Sequence, residues 1–311
     1  MTQTTLKLGA RGSMLSRLQS GQVAEQLQKL RPDVTVTLTI IKTSGDTIQD
    51  RPLHEFGGKG LFTKELEQAL LAGEVDFAVH SFKDVPVTMP LVAQDDLIIA
   101  AVPEREDPRD VLASTKGRTV MDLPRGAKVG TGSLRRQAQL LALRPDLEVV
   151  QIRGNVDTRL RKLREGEYDG VILAMAGLKR SGLYDHKFMT PIPVEALLPS
   201  AGQGALALQC RKNDAATRAI LALMNHEATA SCVELERAVV RRLQGDCHSP
   251  IAALAELQGE CVRLRAAVAG RDGKPPILRA ESAVNANRAS RAVDQVMTDL
   301  EAHGAAKLLH G

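Results

Sequence analysis

One order of strand-like and helix-like segments runs through the first two-thirds of this chain, and then runs again. "TLKLGA" alternates as a strand, "SMLSRLQSGQVAEQLQKL" has helical spacing, "VTVTLTII" is a strand, "LFTKELEQALLAG" a helix and "VDFAVHS" a strand. The order returns as "AKVGTG", "SLRRQAQLLALR", "LEVVQIR", "VDTRLRKLREG" and "YDGVILAMA". Apolar positions that switch between a period of two and a period of 3.6 predict alternating strands and helices, and so an α/β fold. The echo reaches single letters. "LGARGSMLSRLQ" and "VGTGSLRRQAQ" both place Gly and Ser where strand becomes helix, and "LLAGEVDFAVHS" and "LREGEYDGVILA" share G-E-x-D before an apolar strand. Two similar, doubly wound α/β domains are the simplest account.

After about residue 225 the texture changes. "HEATASCVELERAVVRRL" is helical, "AALAELQGECVRLRAAVAGRDGKPPILRAESAV" reads as a hairpin or three-strand meander with "GRDGK" at a turn, and "NRASRAVDQVMTDLEAHG" is a closing helix. A small α+β C-terminal domain is expected there. The 311 residues, 43% apolar and 25% charged, supply enough material for several cores. No apolar run approaches the length of a membrane span, and "MTQTTLKLGARGS" has no apolar centre of a secretion signal. A cytoplasmic protein that does not enter a membrane is the expectation.

Four cysteines occur, none in a C-x-x-C pair and none with the histidine spacing of a zinc site, so no metal centre is expected. Cys210, Cys232 and Cys261 read as packing residues. Cys247 differs: in "LQGDCHSPI" it stands between Gly245 and Pro250, on a turn. The net charge of +4 is modest, but residues 135–164 hold Arg135, Arg136, Arg144, Arg153, Arg159, Arg161, Lys162 and Arg164. Arginine suits two-pronged recognition of carboxylate or phosphate. With no Trp, two Tyr and five Phe, the chain has few platforms for stacking bases, and it carries no nucleic-acid-binding signature. The basic residues therefore point to a small polyanion rather than to nucleic acid.

Where those residues fall sharpens the point. Ser13 and Ser133 each stand at a strand-to-helix junction, where serine caps a helix and the helix N-terminus attracts anions. Arg11 flanks the first junction, and Arg135 and Arg136 flank the second. That this happens twice favours an anion cradle over capping alone. "AVHSFKDVP" puts Lys83 and Asp84 beyond a strand end, where ligand sites of open α/β sheets lie; a plain exposed ion pair is the alternative, and His80 reads as a packed strand residue. "IRGNVDTRL" places Arg153 and Arg159 about a helix start that Asn155 can cap, and "AGLKR" adds Lys179 and Arg180 after the next strand. "GGKGLF", with Gly58, Lys59 and Gly60, is not a phosphate-binding P-loop; it reads equally as a flexible connection or as a mobile lid bearing a cation.

Nine stretches in order, "RGSMLSRLQ", "GGKGLFTKELE", "HSFKDVP", "EREDPRD", "GTGSLRRQ", "IRGNVDTRL", "AGLKR", "LPSAGQGALALQC" and "GDCHSPIAA", resemble the porphobilinogen deaminase (hydroxymethylbilane synthase) family from residue 11 to about 253. The resemblance implies two periplasmic-binding-protein-like domains, the first discontinuous (1–102 with 201–222) and the second spanning 103–200, with a third (223–311) carrying the cofactor cysteine. It implies a monomeric transferase that condenses four molecules of porphobilinogen head to tail, releasing ammonia, and frees hydroxymethylbilane. The primer is a dipyrromethane cofactor, and the resemblance implies that a thioether binds it to Cys247. Asp84 matches the catalytic acid. Lys83, Asp84, Ser133, Arg135, Arg136 and Arg159 match cofactor-binding positions; Arg11, Ser13, Arg153, Arg159 and Arg180 match substrate-binding ones. Each pyrrole ring adds two carboxylates that must be paired, which suits the arginines. Loss of ammonia leaves an electron-poor azafulvenium, which a carboxylate near the pyrrole N–H would stabilise.

Some positions depart from the family's commonest pattern. Met14 stands where proline is frequent, Glu55 where a lysine can occur, and the cysteine loop reads "GDC" rather than "GGC". Asp246 and His248 either help to form the thioether or only shape its loop. The competing reading from another functional class is a non-catalytic two-domain protein that binds or senses a small anion; it leaves Cys247 without a task.

Overall fold

A computed structural model describes residues 3–44, 63–87, 96–246 and 249–310. Gly58, Lys59, Gly60 and Glu55, and Cys247 with His248, lie outside the described residues. Two compact units emerge, Met1–Arg105 with Ala205–Ala230, and Glu106–Gly204 with Ser231–Gly311.

The first unit is built on β1 (Thr4–Arg11), α1 (Met14–Leu30), β2 (Val34–Ile41), α2 (Lys64–Leu71), β3 (Phe77–Ser81), β4 (Leu97–Ala101), β10 (Leu206–Arg211) and α6 (Ala215–Ala222). Its sheet has the order β2-β1-β3-β10-β4. β1 runs parallel to β2 and to β3, with Leu8 opposite Leu38 and Phe77. β10 is antiparallel to β3, with Ala207 opposite His80. The buried stripe of α1 follows helical spacing through Ser16, Gln19, Ser20, Val23 and Leu27. It is polar near the helix start and apolar further on, where Val23 and Leu27 join Leu8, Phe77 and Leu208 in the core.

The second unit repeats the plan. It contains β5 (Asp110–Ser114), β6 (Lys128–Gly130), α3 (Leu134–Leu143), β7 (Glu148–Val150), α4 (Val156–Arg164), β8 (Gly170–Ala174), α5 (Met175–Arg180) and β9 (Met189–Pro191). The sheet order is β7-β6-β8-β5-β9, again with parallel neighbours except for the fourth strand, β5, which is antiparallel to β8 and β9. Neither sheet is wholly parallel, because each fourth strand enters from a distant part of the chain without a crossover helix. Both faces are covered. Val111 and Val171 pack with Ile152, Leu160 and Leu163 on one side, and Leu112 and Ile172 pack with Val129, Leu140 and Leu197 on the other.

The helix starts follow the sequence reading with one exception. Ser13 and Ser133 accept hydrogen bonds from the N–H groups of Ser16 and Arg136, both at 3.4 Å. Asn155 has the extended backbone of a cap (φ −68, ψ 174), but its side chain makes no capping bond. It is exposed, so water can serve the first N–H groups of α4.

The rest of the second unit comprises α7 (Glu227–Arg242, from Ser231 onward), β11 (Ile251–Gln258), β12 (Cys261–Ala269), β13 (Ile277–Asn285), α8 (Ser290–Ala302) and α9 (Ala305–His310). The strands form an antiparallel meander, β11-β12-β13. Gly273 N donates to Gly270 O (2.8 Å) in the turn that "GRDGK" predicts. Cys210 and Cys232 are buried as expected, but Cys261 is exposed. It is the first residue out of the β11–β12 turn, before the inward positions of β12 begin. One face of this sheet, with Ala252, Leu254 and Ala267, packs on Leu198.

A buried carboxylate ties these pieces together. Glu236, fully buried in α7, accepts hydrogen bonds from Gly202 N (2.7 Å) and Ala255 N (2.9 Å). Removing it would strand two buried N–H donors. Glu236→Ala is therefore expected to lower the unfolding free energy by about 2–4 kcal/mol, measured by urea denaturation. A loss within about 0.5 kcal/mol, the range of an ordinary surface change, would show that the carboxylate does not hold the sheet.

Candidate active site

Parallel pairing of β1 and β3 brings their carboxyl ends to the same edge of the first sheet. Arg11 ends β1, Ser13 begins α1, and Ser81 ends β3 just before a single 3₁₀ turn, Phe82–Asp84. Arg11, Ser13, Thr63, His80, Ser81 and Asp84 all line one cavity of about 70 Å³. The structure thus brings Asp84 together with Arg11 and Ser13, which the sequence placed at a different junction. The buried polar end of α1 braces the wall, where Gln19 Nε2 donates to Ser81 Oγ (3.1 Å). Lys83 and Asp84 are half-buried, not exposed.

Behind this wall runs a buried polar chain. His80 Nε2 lies 2.9 Å from Gln209 Oε1, and Gln209 Nε2 donates to Glu67 Oε1 (3.1 Å). An amide oxygen accepts, so Nε2 carries the imidazole proton. Burial pulls the His80 pKa down to about 4, with Arg11 adding to the fall and the Gln209 bond opposing it. His80 is therefore neutral at neutral pH. It is a packed strand residue, as expected, but one that is fixed by two further polar side chains.

In the second unit the ends of β6, β7 and β8 present the arginines. Arg135 and Arg136 point inward and are 5% and 6% exposed, so a fully solvated role is ruled out for both. Their common partner is Asp110, which is fully buried at the start of β5. Arg136 Nη2 and Nε donate to Asp110 Oδ1 (2.7 and 3.1 Å), and Arg135 Nη2 lies 2.9 Å from Oδ2. Gln203 Nε2 donates to the same Oδ1 (2.8 Å). The Leu198 and Ile172 carbonyls accept from Arg135 Nη1 (2.6 Å) and Arg136 Nη1 (3.0 Å). Burial raises the Asp110 pKa, yet the two guanidiniums outweigh it and hold the group at about 2.

Arg159 completes a cationic group. Its Nε donates to Gly154 O (2.8 Å), and Gly154 adopts φ +107, where a side chain would also strike Thr158. Burial, and then the positive charges of Arg136 and Arg153, bring the Arg159 pKa down to about 10. The positive charges of Arg136 and Arg153 thus oppose the protonation of Arg159, an arrangement that an anion relieves. Arg180 donates to Gly204 O (2.7 Å) and is pulled down by burial. Lys179 pairs with Glu106 (2.7 Å). Two other basic residues of the run are employed elsewhere: Arg144 with Asp146 (2.8 Å) and nearby carbonyls, and Arg161 with Glu165 (2.6 Å) on the surface.

On either side of the cysteine, Asp246 and Ser249 are bonded to each other. Asp246 Oδ1 accepts from both the Ser249 N–H and its hydroxyl (2.9 Å each). The Ser249 hydroxyl also lies 2.9 Å from the Asp246 N–H.

Two family models cover most of the chain. "Porphobilinogen deaminase, dipyromethane cofactor binding domain" matches residues 6–219, and "Porphobilinogen deaminase, C-terminal domain" matches residues 230–302. The chain belongs to the porphobilinogen deaminase family. The porphobilinogen deaminase of Syntrophobacter fumaroxidans is 43% identical over 309 residues, covering 99% of this chain and 98% of that one. That of Syntrophotalea carbinolica is 49% identical over 255 residues, 82% of this chain and 79% of that one. Among solved structures, the periplasmic VFT2 domain of Bordetella pertussis BvgS is 13% identical with a TM-score of 0.39, covering 70% of this chain and 85% of that one.

For a porphobilinogen deaminase family member, the side chains that sequence reasoning passed over are those that position others. Asp110 ends the quoted motif "EREDPRD", and Gln203 lies in "LPSAGQGALALQC", yet neither received a role. A signal was present: Asp110 opens an apolar strand and Gln209 interrupts one, and a polar group in such a place must be bonded.

The lowered His80 pKa sets a pH dependence. The unfolded chain takes up this proton near pH 6.5, before the folded chain does, so the contribution to stability is complete above about 6.5 and is lost as the pH falls toward about 4. Urea denaturation across this window should show about 3 kcal/mol of pH-dependent loss that disappears in His80→Gln. Identical slopes in the two proteins would contradict the assignment.

Proposed function

We propose how this chain performs the family's reaction, the condensation of porphobilinogen into hydroxymethylbilane with release of ammonia on a bound dipyrromethane. The observation that carries the reading is the surplus of positive charge in the second unit: two arginines on one buried carboxylate, and Arg159 opposed by Arg136 and Arg153. This donor set fits a group with two carboxylates on each ring. Ser133, Arg135, Arg136 and Arg159 would hold the carboxylates of the dipyrromethane; Lys83 and Asp84 are the other cofactor-binding positions assigned by the resemblance. When bound, the dipyrromethane supplies the nucleophilic pyrrole carbon from which the product grows. Cys247 carries its thioether.

Arg11, Ser13, Arg153 and Arg180 take the carboxylates of the incoming porphobilinogen, with Arg159 shared. Asp84 is the catalytic residue. Its carboxylate accepts the pyrrole N–H and stabilises the positive charge left on the substrate when the aminomethyl group departs as ammonia. It then assists removal of the ring proton after carbon–carbon bond formation. The cavity shared by Arg11, Ser13 and Asp84 supports placing an anionic substrate beside this carboxylate. Among the described residues no helix is long and apolar enough to cross a membrane. We read the protein as a cytoplasmic monomer of three domains, 1–102 with 201–222, 103–200 and 223–311.

The intact mass of the purified protein tests the attachment. The active protein should exceed its sequence mass by one dipyrromethane, and Cys247→Ala should match its own. An active protein at bare mass overturns the assignment. Asp84→Ala should keep the adduct while turnover, read as oxidised uroporphyrin, falls by about 10²-fold or more. Full turnover in Asp84→Ala would remove that carboxylate from the mechanism.

A further inference from the structure

Three consecutive residues, Gly202, Gln203 and Gly204, are each tied to a different part of the second unit. The Gly202 N–H donates to Glu236 Oε2 (2.7 Å). Gln203 Nε2 donates to Asp110 Oδ1 (2.8 Å) and to the Pro108 carbonyl (2.7 Å). The Gly204 carbonyl accepts twice, from the Glu106 N–H (3.2 Å) and from Arg180 Nη2 (2.7 Å). Glu236 and Asp110 are themselves fully buried and bonded, so the segment has little freedom and its last carbonyl is a fixed acceptor. Gly204 adopts φ +91, and a Cβ there would stand 2.2 Å from the Glu106 carbonyl oxygen. Only glycine lets the two backbones come this close.

Glu106 grips the same corner with its side chain. Its Oε1 accepts from the Asp107 N–H (2.8 Å) and from Lys179 Nζ (2.7 Å), and Lys179 precedes Arg180 at the end of α5. The carboxylate also acts on Arg180 by charge: burial pulls the guanidinium's pKa down, and Glu106 opposes the fall. The Lys179 and Glu106 side chains are 42% and 33% exposed, so their ion pair adds little to stability and its loss should not unfold the chain. Ordering a long side chain only when a ligand arrives costs roughly two- to tenfold in affinity. A guanidinium already seated on a fixed carbonyl avoids much of that cost.

We propose that Glu106 and Gly204 are positioning residues for Arg180, holding its guanidinium ready for a carboxylate of the incoming porphobilinogen. The inference rests on the reading of Arg180 as a substrate-binding residue.

Steady-state kinetics of the cofactor-loaded full chain test it through a double-mutant cycle. Arg180→Gln alone should raise the KM for porphobilinogen by about tenfold or more. Glu106→Ala should raise it by about three- to fivefold with kcat within about twofold of the wild type, and should add less than about twofold to Arg180→Gln. Gly204→Ala, which displaces the carbonyl itself, should raise KM by about tenfold. A merely structural role would lower kcat and would multiply with Arg180→Gln. An unchanged or lower KM in Glu106→Ala, or full multiplication of the two effects, overturns the proposal whether or not Gly204→Ala folds, while Arg180→Gln keeps its own effect. An unchanged KM in Arg180→Gln removes the substrate assignment of Arg180 first, and this inference with it.

Discussion

A single buried carboxylate organises the second unit. Asp110 is shared by Arg135, Arg136 and Gln203, which come from two separate segments of the unit, α3 and the stretch before β10. Burying a charge is favourable only when it is paired and bonded, and here the pairing is excessive. Two guanidiniums for one carboxylate leave a net positive charge fixed beneath the surface. Because both arginines are held by carbonyls as well, the surplus cannot relax by swinging into water. An ion held so rigidly costs little to reorganise when a ligand carboxylate arrives, which is the advantage of preorganised electrostatics.

The first unit reaches a similar end with different means. There the buried groups are neutral or hydrogen-bonded in series, from His80 through Gln209 to Glu67. Keeping the imidazole uncharged avoids placing another cation beside Arg11 in the wall that also carries Asp84. Charge is concentrated in one unit and rationed in the other.

Much of this was legible in the sequence, for physical reasons. The duplicated strand–helix order, the serine caps and the meander all depend on local periodicity and turn chemistry, and local signals survive in a one-dimensional string. The positions of Arg11, Ser13 and Asp84 at strand ends could be read because open α/β sheets place ligands there. What could not be read was partnership across distance. That Arg135 and Arg136 share Asp110, some 26 residues away in sequence, left no local sign. Asn155 looked like a cap, and Cys261 like a packing residue, because residue type predicts tendency and only the three-dimensional neighbours decide the outcome. The antiparallel fourth strands belong to the same class, since pairing between distant segments leaves no periodic mark.

Those fourth strands have a consequence for how the chain is made. Among the described residues β4 has only β10 as a neighbour in its sheet, and β10 is completed at Arg211. On a ribosome, β4 must therefore wait, with an edge unpaired, while more than a hundred further residues are synthesised. The second sheet needs nothing beyond Pro191. The later sheet can thus close before the earlier one, reversing the usual N-terminal-first order of synthesis. The half-finished first sheet is the species most open to stray strand pairing.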